Sequence, residues 1–178
     1  MKVSVFGLGY VGSVSAASLA SDGHEVIGVD VSADKVATVN AGKSPVVEHR
    51  VEEMMSRASQ RGLLRATSDP VAAVAATDLT LVCVGTPSLP NGNTDLSAML
   101  GVATQIGAAL AAKSSRHCVV FRSTVPPGTI RRTLIPALEQ AVAGERCCQM
   151  HGGGHAGCAP QTCPAPAGSE HGDLEGVL

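Results

Sequence analysis

The sequence predicts an α/β domain in which a parallel sheet carries helices on both of its faces. Short runs of β-branched residues alternate with longer alanine-rich stretches from Lys2 to about Gly144. One run, from Asp78 to Val84, is almost wholly apolar, as expected for a strand that is buried on both faces of a parallel sheet. Aromatic residues make up only 2% of the chain, so the core must consist of valine, leucine, isoleucine and alanine. This alternation of strands and helices favours right-handed crossovers between parallel strands.

Five strands and six helices follow from the pattern of apolar and helix-capping residues. The predicted strands are, in order, Lys2 to Phe6, Glu25 to Asp30, Leu63 to Ala66, Asp78 to Val84 and His117 to Arg122. The predicted helices are Tyr10 to Ser21, a helix opened by Ser32, Val51 to Arg61, a helix capped by Asp69 that ends at Ala76, one capped by Asp95 that ends at Ala112, and Thr129 to Val142.

The composition changes near residue 145. From Glu145 onward the chain is rich in cysteine, glycine and proline and has no hydrophobic periodicity. We therefore divide the sequence into a domain over residues 1–143 and a low-complexity tail over residues 144–178, which we expect to be disordered.

Length and charge exclude several classes of protein. A chain of 178 residues accommodates one ordinary domain, and its formal net charge of −2 does not suit nucleic-acid binding. No run approaches the ~18 apolar residues of a membrane-spanning helix, so we expect no membrane association and a cytoplasmic location. The alternative is a signal peptide, because Lys2 precedes an apolar stretch that ends in small residues at Ala20.

The most informative motif is Gly7-x-Gly9-x-x-Gly12, which lies between the first predicted strand and the first predicted helix. In that position the first glycine allows a tight turn, the second lets a pyrophosphate approach the backbone, and the third lets helix and strand pack closely. The backbone N–H groups near Tyr10 and Val11 would then face the phosphates, with the positive end of the helix dipole behind them. The arrangement predicts a Rossmann-like, doubly wound sheet that binds a dinucleotide.

An acidic residue completes this motif. Asp30 ends the second predicted strand, 18 residues after Gly12, close to the ~20 expected for the carboxylate that binds the adenosine ribose. A carboxylate there repels a 2′-phosphate, so we predict NAD rather than NADP as the cofactor. Lys35 is a further candidate, although spacing alone favours a solvated lysine on a helix face.

Five ordered segments resemble the UDP-glucose/GDP-mannose dehydrogenase family over about residues 1–143. They are Phe6-Gly-Leu-Gly-Tyr-Val-Gly12, His24-Glu-Val-Ile-Gly-Val-Asp30, Gly42-Lys-Ser-Pro-Val-Val-Glu48, Val82-Cys-Val-Gly-Thr-Pro-Ser88 and Arg122-Ser-Thr-Val-x-Pro-Gly128. Within the family the sequences of these segments are most similar to the GDP-mannose 6-dehydrogenase branch, with the UDP-glucose 6-dehydrogenase branch as the alternative. The sequence departs from the family at His49 and Arg50, where the family continues with Pro-Gly.

The resemblance implies an NAD site made of residues that match the family's motif positions. Beyond Gly7, Gly9 and Gly12 these are Tyr10, Val11, Asp30, Lys35, Thr86 and Thr124. The two threonines also follow the carboxyl ends of predicted strands, where an open α/β sheet binds its ligand. The alternative for each is a local hydrogen bond to the backbone.

The resemblance also implies a reaction in which NAD takes hydride twice from the C6 alcohol of a sugar nucleotide. The family holds the oxidised carbon on a cysteine of a later Phe-Gly-Gly-x-Cys segment, which this sequence does not contain. We therefore assign no catalytic residue. We expect a truncated, inactive NAD-binding half that binds a sugar nucleotide only if the missing domain is supplied, and we leave its oligomeric state open.

Two other functions compete with an NAD-binding module. A complete enzyme would need a reactive thiol, but Cys83 and Cys118 lie inside predicted strands, where we expect small buried hydrophobic side chains. A metal-binding protein is suggested by clustered thiols and imidazoles in the tail, although no predicted strand or helix there would orient them. Those residues are Cys147, Cys148, His151, His155, Cys158 and Cys163.

Overall fold

The computed structural model describes the backbone of residues 1–151, and their side chains apart from those of His49 and residues 144–151. One sheet of five parallel strands has the order β3-β2-β1-β4-β5. The strands are β1 Lys2–Phe6, β2 Glu25–Val29, β3 Leu64–Thr67, β4 Leu79–Val82 and β5 Cys118–Phe121. All five predicted strands are present, each with ends within two residues of the prediction.

The helices alternate with the strands as predicted. They are α1 Tyr10–Ser21, α2 Ala33–Asn40, α3 His49–Gln60, α4 Pro70–Ala75, α5 Ser97–Ala111 and α6 Ile135–His151, with a π-helical turn Ile130–Leu134 before α6. Two predicted caps are confirmed. Ser32 Oγ accepts from Lys35 N at 3.4 Å, and Asp69 Oδ1 accepts from the N–H groups of Val71 and Ala72. The third predicted cap differs, because Leu96 is the N-cap residue of α5 and Asp95 precedes it, although Asp95 Oδ1 accepts from Ser97 N, the first residue of the helix.

Helices cover both faces of the sheet, so the predicted Rossmann-like, doubly wound architecture is confirmed. Alternate side chains of each strand point to opposite faces and enter two separate apolar clusters. The cluster under α1, α2 and α3 includes Val3, Val5, Leu8, Ala16, Ala17, Val39, Met55 and Leu64. The cluster under α4, α5 and α6 includes Phe6, Ile27, Val29, Val74, Val82, Ile106 and Leu138. Within residues 1–151, no helix combines the length and the apolar composition that crossing a bilayer requires.

The last helix differs from the prediction at both ends. A π-helical turn replaces its first residues, and α6 continues to His151 rather than ending at Val142. Neither glycine nor proline occurs between Glu145 and His151, so no residue there terminates a helix. The remainder of the predicted tail, residues 152–178, lies outside the described residues.

A chain of buried polar groups crosses the sheet near the amino-terminal ends of its strands. Ser4 and Thr80 are fully buried on neighbouring strands, with their hydroxyl oxygens 2.7 Å apart. Thr80 Oγ1 lies 2.8 Å from His117 Nε2, and His117 Nδ1 lies 3.0 Å from Lys113 Nζ. His117 Nδ1 also lies 3.0 Å from the Thr77 carbonyl oxygen, which can only accept, whereas the Lys113 ammonium can only donate. The contact with Thr77 needs a proton on Nδ1 and the contact with Lys113 needs a lone pair there, so the two bonds are alternatives.

The surroundings of His117 favour its neutral form over the imidazolium. Burial and the Lys113 ammonium lower the pKa of His117 below its usual value, against smaller opposing effects of the Thr77 carbonyl and the Asp78 carboxylate. Lys113 also donates to the carbonyls of Val74 and Thr77 at the end of α4. These bonds hold the ammonium group beside the His117 ring.

We predict that this network makes folding stability depend on pH. The folded pKa of His117 lies below the unfolded value of about 6.5, so stability present at neutral pH is lost as the pH falls from about 6.5 towards the folded pKa. His117→Gln should be less stable at neutral pH and should lose this dependence. Urea unfolding of both proteins at about pH 7.5 and about pH 5.5 measures it. Equal pH slopes in the two proteins would contradict the assignment.

A second stability prediction concerns Ser13 on the inward face of α1. Its Oγ is buried and has no hydrogen-bond partner within the part of the chain that the structure describes. Ser13→Ala removes an unsatisfied group and adds a better helix former, so it should raise the free energy of unfolding by about 1 kcal/mol. Ser15 is a matched control because its Oγ donates to Val11 O and accepts from Arg122. Ser15→Ala should destabilise, and a loss of stability in Ser13→Ala would refute the prediction.

Candidate functional site

The turn from β1 into α1 forms a tight loop of backbone. Gly7 has a φ of 92°, and its N–H donates to Val29 O at 2.8 Å. A Cβ on Gly12 would lie 1.8 Å from Gly7 O, and a Cβ on Gly7 would lie 2.9 Å from Cys83 O. A Cβ on Gly9 would meet no atom within 4 Å. Gly7 and Gly12 are thus required by packing within the protein, whereas Gly9 borders open space.

The first turn of α1 is available to an anion. Gly9 precedes the helix without a side-chain cap, and no acidic residue lies in the first turn. Tyr10 and Val11 follow as the first helical residues, and both are exposed. The first N–H groups of an α-helix have no partner within the helix, and the helix dipole places partial positive charge on them. This end of α1 therefore offers directed donors, and its own first turn carries no acidic side chain.

The carboxylate of Asp30 lies beside this loop and is held by three donors. Its Oδ2 accepts from Leu8 N at 2.7 Å and from Lys35 Nζ at 3.2 Å, and its Oδ1 accepts from Ser32 N at 2.9 Å. Burial by itself raises the pKa of Asp30. The hydrogen bonds from Ser32, Leu8 and Lys35, together with the Lys35 charge, outweigh that effect and leave the pKa below its ordinary value. Asp30 is therefore a fixed anion joined to the glycine loop.

Glu48 reaches the same region from the loop before α3. Its Oε2 accepts a hydrogen bond from the Tyr10 hydroxyl at 2.8 Å, and this bond raises the pKa of Tyr10. Helix α3 begins at His49, directly after Glu48, so His49 and Arg50 form the first helical residues where the family has Pro-Gly. The Glu48 side chain does not cap α3, because it turns towards α1 instead.

The loops after β4 and β5 are joined by two hydrogen bonds. Thr86 Oγ1 donates to Thr124 O at 2.9 Å, and Ser123 Oγ donates to Val84 O at 2.6 Å. The two predicted threonines are thus brought together at the carboxyl edge of the sheet. The Thr86 hydroxyl bonds to a carbonyl 38 positions away rather than to a local one, at the edge where an open α/β sheet binds its ligand.

The two strand cysteines differ from the prediction. Cys118 begins β5 but is exposed, so the expectation of a buried side chain is wrong, because β5 is an edge strand of the described sheet. Cys83 lies one residue past β4 and is half-buried. Burial raises the pKa of the Cys83 thiol, against the opposing charge of Arg122, so the reactive thiolate is disfavoured.

Acidic and metal-ligating groups do not converge elsewhere in the described part of the chain. Among those residues, no group of three or more histidine, cysteine, aspartate or glutamate side chains is placed to hold a metal ion. Cys158, Cys163 and His155 of the suggested tail cluster lie outside the described residues, as do the side chains of its other members.

The sequence-predicted site residues fall into two connected groups. The glycine loop, Tyr10 and Val11 are linked to Asp30 and Lys35 through Leu8 N, and Thr86 is linked to Thr124. The direction in which successive strands are added to the sheet reverses between β1 and β4. Both groups of residues follow the carboxyl ends of strands, on the two sides of this reversal. Ligands of open α/β sheets bind at such a reversal.

Sequence reasoning missed three contributors. Nothing in the sequence singles out the Leu8 N–H or the Ser123 hydroxyl, apart from their positions inside the motifs. The contact of Glu48 has no signal in the sequence, because its partner Tyr10 lies 38 positions earlier in the chain.

Comparison with known proteins places this geometry in a family. The profile described as "UDP-glucose/GDP-mannose dehydrogenase family, NAD binding domain" matches residues 1–151. GDP-mannose 6-dehydrogenase of Pseudomonas aeruginosa is 50% identical over 139 residues, which is 78% of this chain and 32% of that protein. UDP-glucose 6-dehydrogenase AglM of Haloferax volcanii is 42% identical over 147 residues, which is 82% of this chain and 33% of that protein.

A solved structure agrees with these relatives. The ternary complex of GDP-mannose dehydrogenase from Pseudomonas aeruginosa superposes with a TM-score of 0.79 at 48% identity, covering 80% of this chain and 33% of the other. The chain spans about a third of the length of the relatives that it matches. It belongs to the UDP-glucose/GDP-mannose dehydrogenase family, and the part that matches is the family's NAD-binding domain.

Proposed function

We propose that this domain binds NAD along the carboxyl edge of its sheet, with the pyrophosphate on the glycine loop and the adenosine ribose on Asp30. The observation that carries the proposal is the hydrogen bond between Asp30 Oδ2 and Leu8 N. It holds a carboxylate against the loop that would receive the phosphates, which is the relation that dinucleotide recognition requires. The low pKa of Asp30 keeps that carboxylate ionised at neutral pH.

The remaining groups suit the other parts of the cofactor. The free N–H groups of Tyr10 and Val11 are donors for the pyrophosphate, and the open space at Gly9 leaves room for it. Val31 is 96% exposed immediately after Asp30, where an adenine ring would cover it. Thr86 and Thr124, on the loops after β4 and β5, are positioned for the nicotinamide half.

For the whole protein we propose the oxidation of a sugar nucleotide, with GDP-mannose favoured over UDP-glucose. The preference rests on the identity of 50% with the GDP-mannose relative against 42% with the UDP-glucose relative, over similar shares of this chain. Bound NAD would supply the hydride acceptor. The residues described here bind and orient it. We also propose a cytoplasmic location, where NAD and sugar nucleotides are both present.

The first test is cofactor choice. NAD should bind about tenfold or more tightly than NADP, because a 2′-phosphate would meet the Asp30 carboxylate and lose the ribose hydrogen bond. Calorimetric titration measures both affinities. Asp30→Ala should reduce the difference between the affinities for NAD and NADP. Asp34→Ala, which removes an exposed carboxylate of α2, should leave that difference unchanged. Equal or tighter binding of NADP by the unaltered chain would overturn the assignment.

The second test uses the glycine that the fold does not need. A Cβ at Gly9 meets open space, and its φ of −79° suits alanine, so Gly9→Ala should fold normally. It should nevertheless weaken NAD binding by about tenfold or more, because the methyl group would occupy the space of the pyrophosphate. Gly101→Ala on α5 also adds a Cβ in open space and serves as the control. Unchanged NAD affinity in a folded Gly9→Ala would place the pyrophosphate elsewhere.

A further inference from the structure

We propose that Lys35 determines cofactor preference together with Asp30. The Lys35 ammonium is able to bind a 2′-phosphate, but its ion pair with Asp30 occupies it, so the 2′-phosphate site is latent. The inference rests on the proposed NAD function and assigns a specificity role to the pair rather than to the carboxylate alone. It predicts that replacing Asp30 does more than remove a repulsion. It releases a cation at the position that distinguishes NAD from NADP.

The two members of the pair differ in freedom. Asp30 has a side chain only 8% exposed, and backbone N–H groups of Leu8 and Ser32 hold both of its oxygens. Lys35 has a side chain 40% exposed, and its ammonium makes a single ion pair among the described residues, 3.2 Å from Asp30 Oδ2. The carboxylate is therefore fixed, and the Lys35 ammonium can move away from Asp30 without breaking another hydrogen bond or ion pair to the described residues.

Counting hydrogen bonds at the carboxylate shows why the lysine matters. Each carboxylate oxygen accepts about two hydrogen bonds. Oδ2 already accepts from Leu8 and Lys35, whereas Oδ1 accepts only from Ser32. A ribose can therefore donate one hydroxyl to Oδ1 with the pair intact. Its second hydroxyl oxygen would face the Lys35 ammonium, which has further protons to donate.

The charge balance of the pair is what makes the 2′-phosphate site latent. With Asp30 present, the carboxylate and ammonium carry zero formal charge together, and a phosphate would have to approach an acceptor-only oxygen. Without the carboxylate, the same ammonium is an unpaired cation beside the ribose position. Phosphate oxygens accept strong, charge-assisted hydrogen bonds from such a group.

The test is a double-mutant cycle of Asp30→Asn and Lys35→Met. Asparagine keeps one oxygen that accepts from Leu8 N, so the glycine loop retains its anchor, while the charge and the bond from Ser32 N are lost. The probes are 5′-AMP and adenosine 2′,5′-bisphosphate, which differ only in the 2′-phosphate, and calorimetry gives each affinity. Far-UV circular dichroism and urea unfolding confirm that every variant is folded.

Asp30→Asn should bind the bisphosphate at least about tenfold more tightly relative to 5′-AMP than the unaltered chain does, the size of one charge-assisted hydrogen bond. The double variant should lose that gain, and Lys35→Met alone should bind the bisphosphate more weakly than the unaltered chain. Lys2→Met removes an exposed lysine at the opposite edge of the sheet and should change nothing. A gain that persists in the double variant, or no gain in Asp30→Asn, overturns the role of Lys35. If the unaltered chain binds neither 5′-AMP nor NAD, the proposed function fails and this inference fails with it.

Discussion

The architecture depends on how closely the first helix approaches the turn that precedes it. Gly12 lies so near Gly7 that no side chain fits between them, and the Gly7 peptide also abuts the backbone after β4. This approach brings α1 down onto β1, where the small residues of its inner face pack against the first cluster of the core. It also fixes where the start of α1 points. One steric constraint thus sets both the packing of the central strand and the direction of the donors at its carboxyl end.

Most of the fold could be predicted because local patterns and tertiary packing agree. The apolar runs became strands, and Ser32 and Asp69 capped helices as their positions indicated. The predictions were wrong where tertiary packing, rather than the local sequence, determines the structure. The exposure of Cys118 depends on β5 lying at the edge of the sheet, which the four-residue run itself does not reveal. The end of α6 could not be predicted from composition, because the composition changes near residue 145 while the helix continues to His151.

The candidate site was predictable where backbone geometry demands a residue type. Glycine spacing and an acidic strand end have mechanical reasons, so they could be recognised without knowing the fold. The contacts that link these features could not be predicted. The bond from Leu8 to Asp30 uses a backbone N–H, and the bond from Tyr10 to Glu48 joins residues far apart in sequence. The buried chain from Ser4 to His117 is likewise a product of strand order, since its members become neighbours only when β1, β4 and β5 lie side by side.

The anchoring of the glycine loop by Asp30 has a kinetic consequence. Because Leu8 is already hydrogen-bonded in the chain alone, the cost of ordering the loop is met during folding rather than at the moment of capture. A ligand then meets a surface that needs little rearrangement, so its association is limited by encounter and orientation. Differences in affinity between related ligands will accordingly be expressed in their dissociation rates, that is, in how long each ligand stays bound.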